Sequence, residues 1–343
     1  MRIERTAQVV ILLSFFGVLI ILGKDLLIPI VLAVFVWFII REIRMTLGKI
    51  NILRKRMPRW LGNLLSSILL FSFFGLVISI VSSNISLLSQ KLPLYEENVS
   101  HVIRLINDMF HIDLFDKFQT YFGNLEFSSL LKMALNSITS IFGNVFIIFI
   151  YIVFMLLEES GFGVKLKAIY PDEESYDNSV KILEKIDHSV GQYLLLKTLM
   201  SMTTGLLSFI VLKFIGVDAS FFWAFLIFVL NYIPTIGSLI ATLFPAVFAL
   251  LQFGEMGPAL WVLIIIGAIQ ILVGNLLEPK VMGNTLNLSP FVVLLALSVW
   301  GAFWGITGMV LSVPITVIML ILFSEFPSTR VIAILLSEKG KLS

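Results

Sequence analysis

The stretch from Leu199 to Phe323 constrains the fold of this chain more than any other feature, because it is long, apolar and almost free of charge. It contains five charged residues, which are Lys213, Asp218, Glu255, Glu278 and Lys280. Over its 343 residues the chain is 58% apolar and 13% charged, whereas soluble domains are about half apolar and about a quarter charged. A bilayer cannot hydrate exposed backbone amides, and these stretches lack the alternation of barrel strands. The sequence therefore predicts an all-α, polytopic transmembrane protein.

Charge placement orients the helices that precede this stretch. Two apolar runs, Val9 to Leu22 and Leu26 to Ile40, predict a retained hairpin, because no small-residue cleavage site follows the first run. Between Arg41 and Arg59 lie seven basic residues and one acid, so the positive-inside rule places this loop and the N-terminus in the cytoplasm. A third span, Trp60 to Val81, then delivers Ser82 to Asn136 to the far side.

A fourth span is predicted from Ile138 to Leu157, with an amphipathic segment on either side of it. The outer segment has apolar residues at alternating spacings of three and four from Ile85 to Met109, interrupted at Pro93. This period is typical of a helix packed on its own protein or on the membrane surface, or of a subunit contact in a homo-oligomer. The inner segment, Glu158 to Lys197, has an apolar stripe from Leu183 to Leu194 and is predicted to be an interfacial helix.

Two further spans are each followed by an apolar block that Pro and Gly break near its middle. The span Leu199 to Ile215 leads outward to the block Phe221 to Phe253, and the span Pro258 to Leu277 leads inward to the block Pro290 to Phe323. Each block begins and ends on one side of the membrane whether it is re-entrant or crosses twice, so the first enters from outside and the second from inside. Paired interrupted segments of this kind are typical of a midplane binding site in secondary transporters. The alternative is that Pro and Gly merely kink helices and that small residues form a packing face.

The candidate pathway residues are the helix breakers and polar residues of these blocks and of the segment between them. They are Asn231, Pro234, Gly237, Ser238, Pro245, Asn275, Glu278, Pro279, Gly283, Pro290, Gly305, Gly308 and Pro314. Unpaired amides and carboxylates are costly in hydrocarbon, so each needs a partner or water. Glu278 either binds a cation or proton or pairs with Lys280 at the cytoplasmic interface. The two asparagines either line the pathway or bond backbone freed by the neighbouring prolines.

Several of these runs resemble the autoinducer-2 exporter family of bacterial membrane proteins. They are Asn231-Tyr-Ile-Pro-Thr-Ile-Gly-Ser238, Gly274-Asn-Leu-Leu-Glu-Pro-Lys-Val-Met-Gly283, Leu288-Ser-Pro290 and Gly305-Ile-Thr-Gly-Met-Val-Leu-Ser-Val-Pro314. The likeness covers nearly the whole chain and implies an eight-helix protein, which six spans and two broken blocks accommodate. It also implies either autoinducer-2 export in quorum sensing or sodium or lithium/proton antiport. No family catalytic residue exists to carry over.

Other function classes lack their motifs. Walker A, HExxH and GxSxG patterns are absent, so the sequence predicts neither an ATPase nor a hydrolase, and no enzyme, cofactor or catalytic residue is expected. His101 and His111 have no third ligand at metal spacing, and the net charge of +2 is too small to suggest nucleic acid. The expected partners are the lipid bilayer and a small polar solute, with a proton or sodium ion as coupling ion. A channel-like or scaffolding membrane protein is the further alternative.

Five segments are expected in a bacterial cytoplasmic (inner) membrane, with both termini in the cytoplasm. They are the N-terminal three-helix region (1–81), the extracytoplasmic amphipathic segment (82–137), the fourth span with its cytoplasmic amphipathic segment (138–198), the transport core (199–323) and the cytoplasmic C-terminal tail (324–343). Few carboxylates lie at membrane depth, which favours a carrier of neutral solutes over a cation antiporter.

Overall fold

The computed structural model describes residues 15, 17–48, 59–110, 145–159, 161–282 and 286–342. Its helices are α1 (Lys24–Gly48), α2 (Arg59–Phe110), α3 (Val145–Glu158), α4 (Phe162–Ile169), α5 (Glu173–Ile215), α6 (Ser220–Leu230), α7 (Ile236–Phe253), α8 (Met256–Gln270), a π-helix (Ile271–Leu277), α9 (Glu278–Met282), α10 (Pro290–Glu325) and α11 (Arg330–Leu336). Among these residues the β structure is an isolated bridge between Leu288 and Ser337. The predicted all-α fold is confirmed.

Five helical stretches of the described part are long and apolar enough to cross a membrane. They are Lys24–Met45, Glu173–Ile215, Ile236–Phe253, Met256–Met282 and Pro290–Glu325. A sixth is formed if α3 and α4, which meet at an angle of 67°, are taken together. The protein is therefore polytopic, as predicted. His111, Gly283, half of the predicted first span and about half of the basic loop lie outside the described residues.

Two helices are longer than the predicted spans. α2 continues from the third predicted span through Pro93 to Phe110, and α5 joins the predicted interfacial helix to the next span without a break. Pro removes one backbone donor but need not end a helix that has stabilising contacts on both sides. In α5, the change from polar to apolar residues alters what surrounds the helix, but it does not interrupt the helical backbone.

The chain divides into two compact units that alternate along the sequence. Unit one contains Met1–Ile68, Asn144–Leu195 and Asn284–Ser343, and unit two contains Leu69–Gly143 and Leu196–Gly283. The buried cluster of unit two combines side chains of α2, α5, α6, α7 and α8. At its centre the ring of Phe248 lies 5.2 Å from Tyr95 and 4.9 Å from Trp223, between ring centroids.

In unit two the first broken block is a helical hairpin, formed by α6, a turn at residues 231–235, and α7. This first hairpin turns so tightly that a Cβ on Gly237 would lie 1.9 Å from the carbonyl oxygen of Leu230. Thr235 has φ 60° and ψ −60°, a conformation that few residues adopt. The predicted break is therefore a reversal of the chain and not a kink.

The second broken block, α10 in unit one, reverses in the same way. Gly305 has φ 60° and ψ −139°, and a Cβ on Gly308 would lie 1.9 Å from the carbonyl oxygen of Trp300. In a straight helix, residues eight apart are separated by about 12 Å, so residues 290–304 and 306–325 are the two arms of a second hairpin. Gly301 faces Met309 of the other arm, which excludes a shared packing face of Gly301 and Gly305 on one straight helix.

Hydrogen bonds join the two ends of the first hairpin, and one bond ties the start of the second hairpin to the helix that follows its end. In the first, the Asp218 N–H donates to Gln252 Oε1 at 2.7 Å, and Gln252 Nε2 donates to the Gly216 carbonyl at 2.8 Å. In the second, the Ser289 N–H donates to the carbonyl of Leu336, in the helix that follows α10, at 3.1 Å. Each block therefore begins and ends at the same end of its own unit.

Candidate functional site

A partly buried ion pair lies at the end of the π-helix in unit two. Lys197 Nζ of α5 donates to Glu278 Oε1 at 2.5 Å, and the two side chains are 9% and 22% exposed. Glu278 is the first residue after the π-helix. Of the two alternatives for Glu278, pairing with Lys280 is not what the structure shows, because positions two apart on a helix point in different directions and Lys197 takes that place.

The next residue of α5 contacts the turn of the first hairpin. Thr198 Oγ1 and the Tyr232 hydroxyl are 2.7 Å apart and share a hydrogen bond. Lys197 and Thr198 therefore link α5 to two irregular backbone segments, the π-helix and the first hairpin turn. We call Lys197, Thr198, Tyr232 and Glu278 the candidate site.

The π-helix gives this region a second irregularity. It extends from Ile271 to Leu277, and short π segments inside α-helices are frequent at functional sites. Gln270, the residue before it, is buried, and its Nε2 has no hydrogen-bond partner in the described part of the chain. Asn275 lies within it with an exposed side chain.

The structure brings some of the predicted pathway residues together and separates others. Glu278, Asn231 and Pro234 belong to the candidate site or the adjoining turn. Ser238 donates to the Thr235 carbonyl at 2.9 Å. Three other predicted pathway residues lie in unit two: Gly237 and Pro245 are buried in α7, and Pro279 is exposed in α9. Pro290, Gly305, Gly308 and Pro314 lie in the second hairpin, in unit one.

The side chains of Asn231 and Asn275 make no hydrogen bond with described residues, so neither is seen to bond the backbone that a neighbouring proline frees.

Three residues of the site were missed from the sequence. Lys197 was assigned to the end of the polar segment, and Tyr232 lies in the Asn231–Ser238 run but was not singled out as a pathway residue. The one signal was a lysine placed directly between the apolar run Tyr193–Leu196 and Leu199. A cation at such a position needs an acidic partner when it is buried.

A polar cluster joins α2 to the open end of the first hairpin. Lys91 Nζ lies 2.8 Å from both carboxylate oxygens of Asp218, the Tyr95 hydroxyl donates to Asp218 Oδ2 at 2.8 Å, and Asn98 Nδ2 donates to the Gln252 carbonyl at 2.8 Å. Burial, then the hydrogen bond and charge of Asp218, raise the pKa of Tyr95. The phenol therefore remains a hydrogen-bond donor.

Unit one has its own charged cluster where α1 meets the segment after α3. Arg44 donates to both carboxylate oxygens of Glu159, at 3.1 and 2.7 Å. Burial alone would raise the pKa of Glu159, but the hydrogen bonds and charge of Arg44, with the charge of Arg41, hold this pKa below its usual value. Arg41 also lies 3.2 Å from Asp187. The cluster fixes α1 to two neighbouring elements.

These features define the class of protein: a multi-pass α-helical membrane protein with two helical hairpins and a partly buried ion pair beside one hairpin turn. The chain belongs to the AI-2E family of transporters, whose family model, AI-2E family transporter, matches residues 9–328. It is a membrane transporter.

Three curated relatives illustrate the membership. The chain is 31% identical over 323 residues to the AI-2 transport protein TqsA of Escherichia coli K12. The aligned region covers 93% of this chain and 91% of that protein. It is 31% identical over 325 residues to a putative transport protein of Haemophilus influenzae, covering 92% and 91%. It is 32% identical over 265 residues to a putative transport protein of Borreliella burgdorferi, covering 76% and 72%.

Proposed function

We propose that this protein is a secondary transporter that exports autoinducer-2 or a similar small polar molecule through unit two. The observation that carries the proposal is the Lys197–Glu278 pair beside the first hairpin turn. An ion pair inside a membrane protein is costly to build and marks pathways for solutes or ions. The similarity to the AI-2 transport protein of Escherichia coli supports autoinducer-2 as the solute.

The chemistry of the site suits an uncharged polar solute. Lys197 and Glu278 compensate each other, so a neutral molecule needs no counter-ion there. The hydroxyl groups of Thr198 and Tyr232 donate and accept hydrogen bonds. A solute that offers hydroxyl or carbonyl groups exchanges these bonds for its own.

Sodium or lithium/proton antiport is the second candidate function, and one observation favours it. Glu278 is a carboxylate with a buried cation as its partner, so a metal ion or a proton competes with the Lys197 ammonium for the same oxygens. Antiport therefore requires that Lys197 leaves Glu278 during the cycle. A carrier of neutral solutes does not require this.

We further propose that both hairpins are re-entrant, that they enter from opposite sides of the bacterial cytoplasmic membrane, and that both termini are cytoplasmic. Lys91 contacts the open end of the first hairpin from the outer segment of α2, which supports entry from outside. Lys185, on the inner segment of α5, lies 3.6 Å from Glu325 at the open end of the second hairpin. This supports entry from inside.

Flux in proteoliposomes tests the proposal. We expect labelled autoinducer-2 to move without a sodium or lithium requirement, and Glu278→Gln to reduce the flux without abolishing it. Loss of all proton-linked sodium and lithium movement in Glu278→Gln, with no autoinducer-2 flux in the native chain, would support antiport. A chain that moves none of these solutes contradicts both functions.

A further inference from the structure

One face of α5 in unit two carries an unusual row of buried polar side chains. Lys197, Ser201, Thr204 and Ser208 are all buried and follow one another at spacings of four, three and four. These are the spacings of a single helix face. Apolar residues occupy the opposite, exposed face of the helix, for example Leu206 and Ile210.

Two of these hydroxyls lack the bond that serines and threonines in membrane helices usually make to a carbonyl one turn back. Thr203 and Thr204 make it, donating to Leu199 and Met200 at 2.8 and 3.0 Å. The hydroxyls of Ser201 and Ser208 have no hydrogen-bond partner within the described ranges. A buried polar group without a partner is destabilising, and native proteins supply such groups with a partner or with water.

Gln270 shares this property on the helix that carries Glu278. Along α5, Ser201 and Ser208 lie about 6 and 16 Å from Lys197, and Gln270 lies about 12 Å from Glu278, from the helical rise. Because Lys197 and Glu278 are in contact, the distance from the ion pair increases in the order Ser201, Gln270 and Ser208. Trp223 Nε1 is also unpartnered, but its ring packs against Phe222 and Phe248.

We infer that Ser201, Gln270 and Ser208 line a hydrated passage that runs along α5 from the Lys197–Glu278 pair. Water enters it when the surrounding helices move, and a small solute with hydroxyl or carbonyl groups replaces that water during transport. This inference rests on the proposed function for its solute, while the presence of water is a property of the passage alone.

Cysteine accessibility tests the inference directly, because the chain contains no cysteine. Ser201→Cys and Ser208→Cys exchange one small polar group for another. The controls are Leu212→Cys, at a buried apolar position, and Leu206→Cys, whose native side chain is 57% exposed on the opposite face. Each variant is reconstituted and treated with trimethylammonium-ethyl methanethiosulfonate, and modification is followed by mass spectrometry.

We expect both serine-position variants to be modified at least about tenfold faster than both controls, because the reagent attacks the thiolate, which forms in water and not in hydrocarbon. Rates as slow as that of Leu212→Cys would overturn the passage. Ser201→Ala and Ser208→Ala provide a second measurement that needs no thiol. Removal of a hydrated hydroxyl does not raise Tm, whereas a rise in Tm for both variants means that the hydroxyls are dry and contradicts the inference.

The two proposals fail differently. Autoinducer-2 flux together with unreactive cysteines leaves the transporter standing and overturns the passage. Rapid modification in a protein that moves none of the tested solutes supports the passage and contradicts the proposed solutes.

Discussion

Lys197 and Glu278 are 81 residues apart in sequence, yet the ammonium nitrogen of one lies 2.5 Å from a carboxylate oxygen of the other. Because the lysine side chain is the more buried of the two, Glu278 supplies the counter-charge that offsets the cost of burying the ammonium group. The pair joins α5 to the end of the π-helix.

Removing one partner is expected to destabilise the protein more than removing both. Glu278→Gln leaves a buried ammonium without a counter-charge and costs about 3 kcal/mol or more, while the double variant Lys197→Met/Glu278→Gln recovers part of this loss. Lys197→Met costs less than Glu278→Gln, because Glu278 retains some access to water. Thermal unfolding in detergent measures all three. A loss in the double variant equal to the sum of the two single losses would show that the two residues are not coupled.

The hydroxyl of Tyr232 is expected to position the first hairpin turn. Tyr232→Phe removes the hydrogen bond to Thr198, at a cost of about 1 kcal/mol, and we expect a lower flux at unchanged expression. Tyr170→Phe is the matched control, because Tyr170 is an exposed residue in unit one. A double-mutant cycle with Thr198→Val isolates the bond, and additive effects would contradict the role assigned to it.

The glycines at the two reversals are expected to tolerate no side chain. Gly237→Ala and Gly308→Ala each place a methyl group against a backbone carbonyl, and we expect a loss of about 3 kcal/mol or failure to fold. Gly257→Ala in unit two and Gly163→Ala in unit one are the controls, since nothing lies within 4 Å of a Cβ at either position. Monodispersity on size exclusion and Tm report the outcome. Native-like Gly237→Ala and Gly308→Ala proteins would rule out tight reversals.

The Arg44–Glu159 pair predicts a dependence of stability on pH. The folded pKa of Glu159 is below its usual value of 4.5, so its contribution is present above pH 4.5 and is lost as pH falls through the folded value. The Tm difference between the native protein and Glu159→Gln should therefore shrink below pH 4.5. Glu158→Gln is the control, because the Glu158–Lys165 pair is exposed and such pairs contribute little. A Tm difference between the native protein and Glu159→Gln that stays constant down to pH 3 would contradict this prediction.

The sequence predicted the positions of both reversals, because Pro and Gly restrict or free the backbone locally. Asn231 to Gly237 and Gly305 to Gly308 are such positions, and no distant residue is needed to recognise them. The hydrophobic stretches likewise predicted the spans, since each must satisfy its own backbone in lipid. The helix boundaries predicted at Val81 and Lys197 were wrong, because α2 and α5 continue through these positions and polarity marks the surroundings of a helix rather than its end.

The sequence could not identify the partner of Glu278, for a different reason. Lys280 is close in sequence, while Lys197 is brought close only by the fold. The π-helix before Glu278 also has no signature in the sequence, although one extra residue per turn changes the direction in which Glu278 projects. The sequence therefore predicted Glu278 and the position of the first hairpin turn, whereas it did not identify Lys197, Thr198 and Tyr232 as residues of the candidate site.

The compensation of charge between Lys197 and Glu278 also determines how transport responds to voltage. A neutral solute that passes an intact pair carries no net charge across the bilayer, so the membrane potential neither drives nor opposes its movement. A cation carried on Glu278 alone would gain or lose about 2.3 kcal/mol for every 100 mV. For the solute alone, the export proposed for unit two is therefore expected to be electroneutral.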